Sequence, residues 1–239
     1  KLNFIVLIIL FGILSPKTKA QTDYYLKTSG NMHLLASWTT DATGLTSSLT
    51  PTSFTTSNCI WHFTNRTVLQ ALTSAIAFGT AASTIVIEDG FLLSFQSNGK
   101  FTGTAISATV KAATVSIAIS TNPLPTNTTF NTSSMVKIQS GTSIWPFSTP
   151  YYDLMINNSS QNAQGIDFSL GSQTQFSVSN NFYIGDGVYV GDIYIPPLFT
   201  TYTYVYNGSY TSVKNFSVGG NLYLWADDIR INNFTVTGN

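Results

Sequence analysis

The chain has one cysteine, two histidines and very few charges. Cys59 is the single thiol in 239 residues, so no internal disulfide can form and the fold has to be held by its core. A buried, apolar thiol is the expectation for it. Charged side chains make up 8% of the sequence, against roughly 25% in ordinary soluble domains. Thr, Ser, Asn and Gly take their place, which gives a surface hydrated by hydroxyls and amides. Removing the first twenty residues takes away three lysines and leaves seven basic against ten acidic side chains, a net charge of −3. No basic patch remains to neutralise phosphates, which excludes nucleic acid as an expected partner.

Long apolar runs are equally scarce. Leu2 to Leu14, interrupted by Asn3 and Gly12, form the one substantial run, preceded by Lys1 and followed by Ser15, Pro16 and the polar stretch to Ala20. It is shorter than the roughly 20 residues a spanning helix needs. With a basic start, an apolar middle and a small residue at its end, it reads as a secretory signal peptide over 1–20. No transmembrane span is expected in the mature chain, and the localisation is secreted or cell surface.

What is abundant is strand patterning. In Thr114-Val115-Ser116-Ile117-Ala118-Ile119 the apolar residues share one face, and Phe176 and Val178 alternate with Ser177 and Ser179. Short alternating runs, separated by turn signals such as Asp89-Gly90, Ser97-Asn98-Gly99 and Gly185-Asp186-Gly187, predict an all-β class. One stretch departs from this: Val68, Leu69, Leu72, Ala75 and Ile76 fall near helical spacing and allow one short helix before Gly79.

An internal repeat narrows the architecture. Asn215-Phe216-Ser217-Val218-Gly219-Gly220-Asn221 recurs shortly afterwards as Asn233-Phe234-Thr235-Val236-Thr237-Gly238-Asn239. A looser copy starts at Gln175, and the interval from there to Asn215 reads as two steps of about twenty. Stacking such units would place like residue on like residue and let Asn, Ser and Thr form ladders. The expectation is a right-handed parallel β-helix over 58–239, preceded by an N-terminal capping segment over 21–57. A β-sandwich is the runner-up. Because the last seven residues open another copy, the chain is expected to be truncated from a longer polypeptide.

Several phrases also resemble a known group. Ser29-Gly30-Asn31, Ala36-Ser37-Trp38 and Pro51 to Asn58 are similar to the mature start of large secreted β-helix surface proteins of Bacteroidota-type bacteria, and Gly141-Thr142-Ser143 and Tyr151-Tyr152-Asp153-Leu154-Met155-Ile156 resemble the same proteins. The resemblance implies an adhesin fragment, and it brings no catalytic residues. Such proteins usually carry a C-terminal sorting domain, which this sequence does not display.

Candidate chemistry is thin. Glu88-Asp89 and Asp227-Asp228, with Arg230 nearby, read as solvated turns, because neighbours on a strand point to opposite faces. Asp186 and Asp192 sit in Gly-Asp turns without the full glycine-rich calcium repeat. His33 and His62 lack metal-ligand spacing, and no nucleophile elbow accompanies them. No catalytic residue, metal or cofactor is therefore assigned. Several Asn-x-Ser/Thr triplets occur, Asn65 and Asn127 among them, and in so Asn- and Ser-rich a chain they read as chance. Tyr202, Tyr204 and Tyr206 alternate and form the candidate glycan-contacting stripe. Three functions follow: an extracellular adhesive solenoid facing polysaccharide, matrix or cell-surface glycans; a self-associating filament subunit adding the strand near Gln21 to Leu26 to a neighbour; or a β-helical carbohydrate-active enzyme.

Overall fold

The computed structural model describes residues 20–46, 48–119, 121–139, 147, 149–156, 166–167, 175–184, 188–190, 193–195, 205–206, 215–224, 229–230 and 233–238. Residues 1–19, the body of the expected signal peptide, fall outside these. Among the described residues there is no α-helix, and the chain is all-β with parallel sheets.

The order in which the chain visits the sheets defines the architecture. Cys59–Phe63 lies in a first sheet, Gln70–Leu72 in a second and Ile76–Gly79 in a third. The chain then repeats the circuit: Ser83–Ile87 joins the first sheet, Leu92–Phe95 the second and Phe101–Gly103 the third. Each newcomer lies parallel to its predecessor, with Cys59 opposite Ser83, Gln70 opposite Leu93 and Ile76 opposite Phe101. Ile106–Val110 and Thr114–Ile117 continue the first two sheets, followed by Thr128–Phe130 and Met135–Ile138. The return shortens as far as Asp153, with Cys59 opposite Ser83, Thr114 opposite Met135 and Met135 opposite Asp153, and then lengthens, with Leu154 opposite Phe182 and Phe182 opposite Leu222. Antiparallel sandwiches do not pair this way.

Burial follows the pleat. Along Cys59–Phe63 the residues Cys59, Trp61 and Phe63 are buried while Ile60 and His62 are not, and Ile106–Val110 alternates in the same way. Leu93, Val115, Val136, Leu154 and Phe182 occupy one position of successive strands in the second sheet, and all are buried. Each such side chain contributes about 1.5–3 kcal/mol on removal from water. No strand could bury its apolar face alone, so stacking and core formation are one event.

The segment before Asn58 closes one end of this core. Thr22–Leu26 pairs in parallel with Cys59–Phe63, so the parallel sheet already begins inside the segment expected to be a separate cap. Trp38–Thr39 pairs antiparallel on its other edge. Trp38 is fully buried, edge-on to Trp61 and Phe63, and its Nε1 donates to the Met32 carbonyl at 3.0 Å.

Two expectations need correction. The stretch 68–76 is not helical: Gln70–Leu72 and Ile76–Gly79 are strands, and Ile76-Ala77-Phe78-Gly79 alternates buried and exposed. Val68 and Leu69, which a helix would have turned inward, are 66% and 56% exposed. The interval from Gln175 to Asn215 is also not two steps. Gln175–Val178 pairs directly with Asn215–Val218, which pairs in turn with Asn233–Val236 less than half that distance further along. The longer interval carries the antiparallel pair Val188–Val190 and Ile193–Ile195, an excursion within one return.

Candidate functional site

The site grows out of the corner where the chain leaves the first sheet for the second. There the backbones of successive turns are hydrogen-bonded in series. Glu88 N–H donates to Phe63 C=O at 3.1 Å, Lys111 N–H to Ile87 C=O at 3.0 Å and Asn131 N–H to Val110 C=O at 2.8 Å. Glu88, Lys111 and Asn131 are therefore held one above another, although each belongs to a different circuit of the chain. Asp89 adds a side-chain tie, its Oδ1 accepting from Ala112 N–H at 3.0 Å.

Charge collects on this corner. His62 Nδ1 is 2.7 Å from Glu88 Oε1, and Lys111 Nζ is 2.6 Å from Glu88 Oε2. Asp23 Oδ1 lies 3.7 Å from His62 Nε2, and the Tyr25 ring stacks on the imidazole at 4.4 Å. The hydrogen bond from Lys111 to Glu88 holds the lysine above its ordinary value. Burial, with the carboxylates of Asp23 and Glu88, pushes the Tyr25 phenol up. Four successive strands or turns are thereby joined on the outer face. His62 faces outward from its strand, as its sequence position suggests, but Glu88 is not a freely solvated turn residue. With 19% of its side chain exposed, it is the shared acceptor of the cluster.

Beside the cluster lies a shallow open cleft lined by Asp89, Lys111, Phe130, Asn131, Thr132 and Tyr152. Phe130 turns one face to Tyr151, stacked at 4.9 Å. Tyr152 is half-buried, and its carbonyl is fixed by Asn180 N–H at 2.9 Å. Sequence reasoning missed this cleft. The Tyr-Tyr-Asp phrase was visible, but nothing in it reveals that Tyr152 lines the same cleft as Asp89.

Of the residues singled out in the sequence, Tyr202 and Tyr204 lie outside the described residues, as do Asp186, Asp192, Asp227 and Asp228. Tyr206 lies in the strand Val205–Tyr206, between Ile166–Asp167 and Ile229–Arg230 in a parallel sheet. His33 is beside Ser74 Oγ at 3.3 Å, and burial lowers its basicity. Asn65 is occupied structurally: its φ is 62° and its amide donates to the carbonyls of Leu26 and Ala42. Cys59 is buried and unpaired, and burial raises its thiol pKa. Among the described residues, no three His, Cys, Asp or Glu side chains gather in a way that could hold a metal, and no helix is long and apolar enough to cross a membrane.

No family model, curated protein or solved structure matches this chain.

Proposed function

We propose that the chain is part of an extracellular adhesive or structural protein, a right-handed parallel β-helix capped by residues 21–57 and exported by its first twenty residues. The observation that carries the architecture is the circuit through three sheets, with each return laid parallel to the one before. A body of this kind is rigid, grows by repetition and offers a long lateral face. In this chain that face is rich in hydroxyls: Thr84, Ser107, Thr109 and Thr129 stand at outward positions of the first sheet, with Thr129 Oγ1 3.2 Å from Thr109 Oγ1. Hydroxyl-rich surface with few charges suits adhesion to polysaccharide or cell-surface glycans. The short sequence phrases that resemble secreted Bacteroidota-type surface proteins point the same way.

The filament alternative gains less. Its proposed donor strand, Thr22–Leu26, is already paired with Cys59–Phe63 on one edge and, at Tyr25 and Leu26, with Trp38–Thr39 on the other. To pair along the whole strand, an incoming strand would have to displace the latter.

The test is adhesion of the purified mature chain. Beads coated with residues 21–239 are expected to bind polysaccharide-coated surfaces and to be competed off by the soluble polysaccharide. Beads that bind none of a broad glycan panel, from a chain shown to be folded, would overturn the adhesive reading.

A further inference from the structure

We infer that the corner cleft between Asp89 and Tyr152 is a binding site for a neutral pyranose unit of a glycan. This rests on the adhesive reading and assigns it a place and a ligand class. A pyranose has an apolar C–H face and a rim of hydroxyls, each able to donate and to accept. A site for it needs an aromatic face for the ring and uncommitted polar groups for the rim.

The cleft supplies both. The Tyr152 ring has no aromatic partner and its hydroxyl no hydrogen bond among the described residues, and the ring remains partly exposed. Asn131 uses its backbone N–H and C=O in the stacked turns, while its exposed side-chain amide is uncommitted among the described residues. Asp89 spends Oδ1 on Ala112 N–H and keeps Oδ2 for an incoming hydroxyl. Thr132, exposed on the same turn, adds a second hydroxyl. An acceptor carboxylate, a donor amide and an aromatic plane therefore line one cleft, held by four successive turns, each bonded to the next.

The charge pattern selects the class. Lys111 is the one cation among the described residues lining the cleft, and its ammonium is already bound to Glu88 at 2.6 Å. Nothing in that lining is left to neutralise a uronate, sulfate or phosphate ester, while Asp89 and the neighbouring Glu88 repel one. Neutral hexose polymers fit, and acidic ones do not.

The experiment is calorimetric titration of residues 21–239 with neutral hexasaccharides of glucose, mannose and galactose, with hexagalacturonate as the acidic comparison. At least one neutral oligosaccharide is expected to bind, Tyr152→Ala to weaken it by about tenfold or more, and Asp89→Asn to weaken it less. Asp89→Asn keeps the Oδ1 acceptor, so it guards against a folding defect, and circular dichroism of both variants checks the fold. Neutral binding untouched by both substitutions would overturn the cleft while leaving the adhesive reading standing. Preference for hexagalacturonate would overturn the assigned class. Absence of binding to any of the four sugars would overturn the site, and the separate bead assay then shows whether adhesion itself survives.

Discussion

Nδ1 of His62 stands 2.7 Å from Oε1 of Glu88, although 26 residues separate the two in the chain. Glu88 turns its other oxygen to Lys111, so a single carboxylate joins the strand Cys59–Phe63 to turns one and two circuits later. Stacked strands bring such residues together without any local signal, because the distance along the chain is set by the length of one return.

Glu88→Gln tests how much this joint contributes. The amide can still accept one bond, but the charge that both partners face is lost, and a destabilisation of about 1 kcal/mol is expected. The pH dependence is more specific. Lys111 is held above its unfolded value of 10.5, so its stabilisation is complete below that pH and is lost as pH rises through the higher folded value. Thermal denaturation between pH 9 and about 11.5 should show a steeper alkaline loss in the wild type than in Glu88→Gln. Identical slopes would mean that the pair adds nothing.

Trp38→Ala tests the closure of the core at its first end. The indole is fully buried, meets Trp61 and Phe63 edge-on at 5.2 and 5.0 Å, and bonds Met32 C=O. Its removal should cost about 3–5 kcal/mol and expose the strand Thr22–Leu26 to proteolysis before the rest of the chain. Limited digestion followed by mass spectrometry checks the order of cleavage. Early cuts elsewhere, with that strand intact, would contradict the role given to Trp38.

The all-β class was legible because alternation is local: Thr114-Val115-Ser116-Ile117 shows its apolar face in four letters, and the structure buries Val115 and Ile117 there, although Ser116 on the opposite face is buried as well. The pairing of Asn215–Val218 with Asn233–Val236 was legible because sequence identity marks the register. The interval from Gln175 to Asn215 misled because it is a single return lengthened by an excursion that includes an antiparallel pair, so its length imitates two steps. The corner site was hidden for a related reason. His62, Glu88, Lys111 and Asn131 are neither alike in type nor evenly spaced, and returns of changing length leave no periodicity for the eye to follow. The stretch 68–76 imitated a helix because two short strands, one on each side of a turn, happened to space their apolar residues by three and four.

Gly99→Ala should be more harmful than Gly90→Ala. At Gly99 a Cβ would collide with the backbone carbonyl of Leu72 in the preceding return, where Gln96 N–H and Asn98 N–H also anchor the turn to Leu72 and Thr73. Backbone cannot swing aside as a side-chain tip can, and an overpacking cost of about 1–3 kcal/mol or more is expected. Gly90 has open space around it, and its φ of 74° leaves only the left-handed penalty of roughly 1–2 kcal/mol. Urea denaturation midpoints rank the two. A milder effect at Gly99 would show that the turns do not stack as tightly as described.

Asp153→Asn addresses a ladder that runs through three turns of the second sheet. Asp153 Oδ1 accepts from Asn181 N–H at 2.8 Å and from the Asn180 amide at 2.9 Å, and Asn181 Oδ1 in turn accepts from Asn221 N–H at 3.0 Å. Both bonds to Asp153 end on one oxygen, so an asparagine can reproduce them. Burial raises the carboxyl above its ordinary 3.8, and these two hydrogen bonds only partly oppose the shift. The folded chain thus holds this proton to higher pH than the unfolded one. Its contribution to stability is complete below 3.8 and is lost as pH rises through the folded value. At neutral pH the ladder therefore begins on a half-buried charge that the amide would remove. The variant should unfold at or above the wild-type temperature at pH 7, and the gap should close as pH is lowered toward 4. If Asp153→Asn is instead as damaging at pH 7 as Asp153→Ala, the negative charge itself holds the ladder, and burial is not the dominant influence on this carboxyl.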